Sequence, residues 1–267
     1  MTHTAPAESS GIIPLSPPVN LRDLGGIEIG AERVRTGFAV RADDLSVITE
    51  DDADELVERG LRAVIDLRSA DEVAVTGRGP LSARRTVNYH HVPFMADIGE
   101  ASSATSTSGP DLADQSTFGQ MYLRMYDQAA PQIVSALAII AHAPGAVAFH
   151  CAAGQDRTGV LAAALLLSLG ADVETIVTDY SRTGENSAAI RTRIAPIMAP
   201  LMSKFGLSLD AAAKAATRVS FSDAPMREML QELASRHGDP LSPLREAGLD
   251  APLVARLRAR GLEGARD

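Results

Sequence analysis

Short apolar runs alternate with polar, glycine-bearing turns along most of this 267-residue chain. Residues 27–41 break into short apolar pieces that predict strands. Thr49 to Arg59 reads as a helix, with Thr49 as N-cap, acidic residues in the first turn and Gly60 as the stop. Ala63 to Leu67 is a compact apolar run of the kind a buried strand shows, and Asn88 to Phe94 predicts another. From Phe118 to Ala143 the apolar spacing is helical, with Pro131 as a possible interruption. Ala146 to His150 predicts a buried strand, and Val160 to Leu169 a strongly apolar helix ending at Gly170. Beyond residue 172 the pattern is mainly helical: Asp172 to Thr183, Ser187 to Phe205, Asp210 to Arg218, Ala224 to His237 and two short pieces.

Two stretches fall outside this rhythm. Residues 1–18 are rich in Ser, Thr and Pro and read as a flexible tail. Residues 95–117 contain a low-complexity run, Ala101 to Pro110, that can bury little; a mobile insertion or lid is expected, with a passive surface insertion as the alternative. Strand, glycine-bearing loop, helix around residue 150 is an α/β unit with a site at the strand's C-terminal end. The fold expected is α/β: a central, mostly parallel sheet flanked by helices, with the lid-like insertion and a helical C-terminal region, residues 19–267 forming one domain.

Composition narrows the chemistry. The chain is 45% hydrophobic and 22% charged, which fits a globular protein. A net charge of −9 weighs against nucleic acid as a partner. No apolar stretch reaches the about 20 residues that a membrane span takes, so no stable membrane insertion is expected. The first residues lack the basic and apolar regions of a signal peptide, and a cytoplasmic setting is expected. The six histidines form no metal-ligand pattern, so no metal and no cofactor are expected. The single cysteine, Cys151, excludes an internal disulfide.

That cysteine stands in His150-Cys151-Ala152-Ala153-Gly154-Gln155-Asp156-Arg157-Thr158-Gly159, between an apolar strand and an apolar helix. A thiol attacks phosphorus usefully as thiolate, and a free cysteine is mostly protonated at neutral pH, with a pKa of about 8.5. The placement aims backbone N–H groups and the helix dipole at the sulfur. The same amides of Ala152, Ala153, Gly154 and Gln155 could cradle an oxyanion, and Gly154 lets the loop curl. Arg157 offers a planar fork for two phosphate oxygens. Thr158 can donate its hydroxyl to the sulfur, and a ring N–H of His150 could fix the cysteine backbone. A lone buried cysteine is usually an inert small hydrophobe, but the joint pattern is far more demanding than any one part.

The segment resembles the H-C-x5-R-[S/T] loop of cysteine-based phosphatases. More narrowly, it resembles the H-C-x-x-G-K-D-R-T-G loop of a bacterial and fungal family of protein-tyrosine phosphatases. Asn20-Leu21-Arg22-Asp23-Leu24-Gly25-Gly26 is similar to that family's N-[FL]-R-D-[LV]-G-G motif, and Asp66-Leu67-Arg68-Ser69 with Glu72 to its D-L-R-S-x-x-E motif. Residues 237–262 look like a worn form of its closing helical segment, so the resemblance spans about residues 12–262. It implies a phosphomonoester hydrolase, a protein-tyrosine or dual-specificity phosphatase acting through phosphocysteine on Cys151, with a phosphotyrosine protein or other phosphomonoester as substrate. It implies Asp156 as acid and base; from position in the chain, Asp66, which closes the strand 63–67 and could border the same pocket, is the second choice, and Asp97, Asp111 and Asp114 in the insertion are the third. The family's lysine is Gln155 here, which removes a positive charge and makes phosphoinositides weaker candidates than phosphotyrosine. Alternatives are a phosphoinositide or small-phosphate phosphatase, and a phospho-binding module with weak or no turnover, though such modules usually lose the cysteine or the arginine. The resemblance also leaves secretion without a classical signal open.

Overall fold

A computed structural model describes residues 13–94, 115–204 and 221–264. The expected helix over 210–218, the first twelve residues of the expected tail, and residues 95–114 of the expected insertion, with Asp97, Asp111 and Asp114, lie outside the described residues. The last three residues of the insertion, 115–117, are described, in a short helical turn with Gln115 buried.

The central sheet has five strands: β1 (Arg22–Asp23), β4 (Ala39–Ala42), β7 (Ala146–His150), β5 (Leu61–Asp66) and β6 (Asn88–His91), in that order. All pairings are parallel except β1 with β4. The middle strand β7 is buried along its whole length, as expected where helices cover both faces of a parallel sheet. Its side chains alternate between two cores. Val147 and Phe149 join the larger core, with α3 (Gly119–Gln128), α4 (Ala130–His142), α5 (Asp156–Leu169), α6 (Val173–Glu185), α8 (Ala224–His237) and α10 (Ala251–Gly261). Ala146 and Ala148 face the smaller core, closed by α1 (Glu50–Glu58) and the turns around Leu45 and Leu81. The sheet is thus flanked by helices, as the pattern predicts.

The register sets the site. Ala42 and Asp66 both lie opposite His150, and His91 lies opposite Asp66. The parallel strands therefore end along one edge, and the chain leaves β7 there into Cys151. Residues 92–94, the start of the connection out of β6, leave from the same edge.

Local signals explain most helix starts. Thr49 and Asp52 form a reciprocal capping box on α1, and Asp172 caps α6. The expected helix over 118–143 is two, α3 and α4, divided at Ala129, with Pro131 in the first turn of the second. A helix the apolar pattern did not predict, α2 (Ala70–Thr76), is capped by Ser69 and Glu72. It is short, and what marks it is the Ser-x-x-Glu box rather than an apolar stripe.

The C-terminal third continues through α7 (Ser187–Lys204), α8, α9 (Ser242–Glu246) and α10 into β8 (Leu262–Gly264). Strand β8 pairs with β3 (Glu32–Val34), which pairs with β2 (Glu28–Ile29), in a small antiparallel sheet; β2 and β3 lie in the 27–41 stretch where strands are expected, whereas the pattern predicts neither β8 nor a separate sheet. Arg256 donates to the carbonyl of Ala141, and Arg260 to those of Ile140 and Gly145, so α10 supplies cations to the C-terminal end of α4. At the other end of the described chain, Ser16 bonds to Val47 and Arg193. No described helix is long and apolar enough to cross a membrane.

Candidate active site

The loop 151–155 joins β7 to α5. Helix α5 begins at Asp156, four residues before the predicted start at Val160, so Asp156, Arg157 and Thr158 sit in its first turn. The early start brings the unsatisfied N–H groups of the helix to face the loop. Cys151 is buried, and the Thr158 hydroxyl donates to its sulfur at 3.2 Å.

Outside bonds fix the direction of the loop peptides. The Asp44 N–H donates to the Ala152 carbonyl at 3.1 Å. Asn20 Nδ2 donates to the carbonyls of Ala153 and Gly154, both at 3.2 Å. Arg41 Nη2 donates to the Gly154 carbonyl at 2.9 Å. In a trans peptide the C=O and the following N–H point opposite ways. With three carbonyls held outward, the N–H groups of Ala153, Gly154 and Gln155 turn toward the hollow of the loop. Gly154 is needed twice over: its φ is +66°, and a Cβ there would lie 2.5 Å from the Ala42 carbonyl oxygen.

The donors behind the loop are themselves tied. Asp43 accepts from the N–H groups of Val19 and Asn20 and from Arg193. Arg22 donates to the Asn20 side-chain oxygen at 2.7 Å, which orients its amide toward the loop. Arg22 and Arg41 both bond the Asp179 carboxylate, at 2.9 and 2.5 Å. Burial works against the Asp179 charge, but the two arginines override it and hold the carboxyl below its usual range. Burial and the nearby Arg41 pull Arg22 down to about 10, which leaves it charged at neutral pH. Two guanidiniums against one carboxylate leave positive charge directly behind the loop.

Arg157 meets Glu72, from the first turn of α2, through two bonds of 2.5 and 2.9 Å. Glu72 is buried and also accepts from the Ser69 N–H at 2.8 Å. Burial favours its neutral acid, but Arg157 overrides this and draws Glu72 down to about 2. Burial likewise opposes the Arg157 charge, and Glu72 more than restores it, raising the guanidinium above its ordinary value. The fork is thus held in one plane at the helix start.

The carboxylates named from sequence have different surroundings. Asp156 Oδ1 accepts from the Tyr122 hydroxyl at 2.5 Å and from Gln155 Nε2 at 3.4 Å. Asp66 is fully buried and bound by the Arg68 N–H, by the Arg68 guanidinium through both oxygens, and by the Tyr89 hydroxyl. Burial works against its charge, but the bonds from Arg68 and Tyr89 and the Arg68 charge override it and hold the acid well below the usual carboxylate range. His150 accepts from the Leu45 N–H through Nδ1 at 3.3 Å, so that nitrogen has no proton for the Cys151 carbonyl nearby. Burial lowers the His150 pKa, and its remaining N–H, on Nε2, faces Asp66 at 3.9 Å.

Of the residues named from sequence, Cys151, Ala152, Ala153, Gly154, Gln155, Asp156, Arg157 and Thr158 form one loop and helix start, and Asp66 stands at the neighbouring strand end. Sequence reasoning assigned no role to Asn20, Arg22 or Glu72, although all three stand in the quoted motifs. Nor does it give a functional role to Arg41, Asp179 or Tyr180, or to Tyr122, which it reads only as an apolar position of the helix over 118–143. Among the described residues, no group of three His, Cys, Asp or Glu is placed to hold a metal ion.

Comparison with known proteins follows the same lines. The sequence model described as "Tyrosine phosphatase family" matches residues 13–263. A tyrosine-protein phosphatase of Nostoc commune is 34% identical over 145 residues, 53% of this chain and 47% of that protein, so the match spans about half of its length. The triple specificity protein phosphatase PtpB of Mycobacterium tuberculosis is 28% identical over 273 residues, 90% of this chain and 95% of that protein.

Proposed function

The chain belongs to the tyrosine phosphatase family, and on that premise we propose that it hydrolyses phosphomonoesters through a phosphocysteine on Cys151, with residues 19–267 as one catalytic unit. The observation that carries this reading is the loop itself. Its sulfur accepts from Thr158 at 3.2 Å, and its carbonyls are pinned outward so that the next amides converge on one hollow.

In the first step the Cys151 sulfur forms a bond to phosphorus as the bond to the leaving oxygen breaks. The leaving oxygen takes a proton from Asp156. In the second step a water oxygen attacks phosphorus, its proton passes to Asp156, and the S–P bond breaks to return the thiolate. Thr158 stabilises the departing sulfur. The loop amides and the Arg157 fork hold the three equatorial oxygens throughout, where phosphoryl transfer needs most of its stabilisation. Asp156 is assigned the proton because Asp66 is bound to Arg68 as a charged carboxylate with no proton to give.

The substrate is a phosphotyrosine protein in the first place, with phosphoserine and phosphothreonine in second. One relative carries the name triple specificity phosphatase, but Gln155 brings no positive charge to the hollow for a multiply charged head group. The test is hydrolysis of p-nitrophenyl phosphate, phosphotyrosine and phosphoserine peptides and a phosphoinositide by wild type and Cys151→Ser. The reading expects turnover by wild type, highest on the phosphotyrosine peptide, and none by the variant. Oxyanion binding without turnover by wild type would make the protein a phospho-binding module instead.

A further inference from the structure

Two fully buried tyrosines stand beside the loop and take no part in the chemistry described so far. Tyr122 comes from α3 and Tyr180 from α6. Their hydroxyl oxygens are 2.7 Å apart. Tyr122 donates to Asp156 Oδ1 at 2.5 Å, and Gln115 Nε2 donates to the Tyr180 hydroxyl at 2.7 Å. At the far end, Gln115 Oε1 accepts from the Ser222 N–H at 3.3 Å.

The direction of every bond in this row is fixed by elementary bookkeeping. A carboxylate only accepts, so the single Tyr122 proton goes to Asp156. The Tyr122 oxygen is then the acceptor for Tyr180, whose own oxygen accepts from the Gln115 amide. The Ser222 N–H fixes which end of the Gln115 amide is oxygen. Four donors therefore point one way, from Ser222 through Gln115, Tyr180 and Tyr122 to one oxygen of Asp156. Hydrogen bonds aligned head to tail in a dry interior strengthen one another. Burial, and then the charge of Asp156, raise both phenols above their ordinary pKa, which keeps the row protonated.

Packing also holds the row. The two rings meet edge to face, with centroids 6.1 Å apart at 84°, and Phe221 lies against Tyr180 at 5.1 Å. Gly159 makes room for this: a Cβ there would lie 3.1 Å from the Tyr180 ring. The last glycine of the loop motif thus admits Tyr180, though it is itself a turn away from the sulfur.

We propose that Tyr122, backed by Tyr180 and Gln115, is the positioning residue for Asp156, and that it holds Oδ1 so that Oδ2 carries the transferred proton. This rests on the reading of Asp156 as the acid and base. Both donors that reach Asp156, Tyr122 and Gln155, come to Oδ1. Among the described residues no donor reaches Oδ2. Fixing one oxygen sets the plane of the carboxyl group and leaves the other free to meet the leaving oxygen. A carboxyl free to rotate would present that proton only part of the time.

The experiment compares wild type, Tyr122→Phe, Tyr180→Phe, Asp156→Asn and the double variant Tyr122→Phe with Asp156→Asn. The quantity read is kcat/KM on a series of aryl phosphates with leaving groups from p-nitrophenol to phenol. A good leaving group needs little acid, so loss of the acid steepens the dependence on leaving group. Tyr122→Phe is expected to lower kcat/KM about tenfold or more on phenyl phosphate, as for one hydrogen bond to a charged group, and far less on p-nitrophenyl phosphate. In the Asp156→Asn background the same change is expected to do nothing further. Tyr180→Phe is expected to act in the same direction more weakly; its ring packing is kept, and it carries the test if Tyr122→Phe does not fold. An equal loss on all esters, or a loss that adds fully to that of Asp156→Asn, overturns the proposal, because a merely structural role behaves that way. If Asp156→Asn steepens the dependence and neither tyrosine variant does, the proposal alone falls. If wild type turns over none of the esters, or Asp156→Asn leaves the dependence unchanged, the reading of Asp156 falls and the proposal with it.

Discussion

Replacing Glu72 with glutamine removes one negative charge from the buried pair with Arg157 and turns one of the two oxygens that accept from the guanidinium into a donor. The amide keeps an oxygen for the Ser69 N–H, so the cap on α2 survives. The magnitude follows from two routes. Glu72 is drawn from an ordinary 4.5 to about 2, so the charged form is favoured by about 3 kcal/mol in the folded protein. Removing one partner of a buried ion pair costs about 3–5 kcal/mol by general experience. The sign is fixed by the direction of the shift. A depressed carboxyl contributes its stability fully above the unfolded value of 4.5 and loses it as pH falls toward about 2. Urea unfolding of wild type and Glu72→Gln should therefore differ by about 3 kcal/mol at pH 7, and the gap should close between pH 4.5 and 2. At the low end both side chains are neutral and Arg157 is unpaired in both. A gap that stays constant with pH, or is under about 1 kcal/mol at pH 7, would refute the reasoning, since the charge of Glu72 would then contribute little. The same variant should bind vanadate more weakly, because the fork is no longer held in plane.

Three further substitutions test the parts around it. Gly154→Ala puts a Cβ 2.5 Å from the Ala42 oxygen at φ +66°; thermal melting should show a loss of about 2–4 kcal/mol, and a wild-type melting temperature would contradict the loop geometry. Asn20→Ala removes the donor to the Ala153 carbonyl while Arg41 still holds Gly154; vanadate affinity measured by calorimetry should fall, with a stability cost of about 1–3 kcal/mol. Gln155→Lys restores a positive charge beside the hollow, so the ratio of phosphoinositide to aryl phosphate turnover should rise; an unchanged ratio would show that position 155 does not set this preference.

What could be read from the sequence followed the range of the interactions involved. The loop was legible because its pieces are contiguous: a fully apolar strand, a glycine, an arginine at fixed spacing and an apolar helix. The strands expected at Ala63 to Leu67 and Ala146 to His150 were legible because both faces are buried and most of their residues are apolar, though the first runs from Leu61 to Asp66. The start of α5 was misplaced by four residues, since Asp156, Arg157 and Thr158 face the site and carry no apolar period. Helix α2 and strand β8 were missed for the same kind of reason: one is held by a cap and the other by pairing with β3, and neither has an apolar stripe of its own. The supports of the site lie at long range. Arg41 meets Asp179 across 138 residues and Gly154 across 113, and Tyr122 meets Asp156 across 34. No local pattern marks such partners. Asn20 and Glu72 stood inside motifs, but what they do became visible only once the chain brought Asn20 behind the loop and Glu72 against Arg157.

The central claim is that the chain turns over phosphomonoesters through a covalent bond to one sulfur. The most direct test mixes the protein with p-nitrophenyl phosphate, quenches with acid within a turnover, and maps the phosphoryl group by peptide mass spectrometry. The account predicts one phosphoryl group on the peptide that contains Cys151 in wild type and none in Cys151→Ser. Turnover by wild type with no phosphoryl group on Cys151, or turnover that persists in Cys151→Ser, would contradict it.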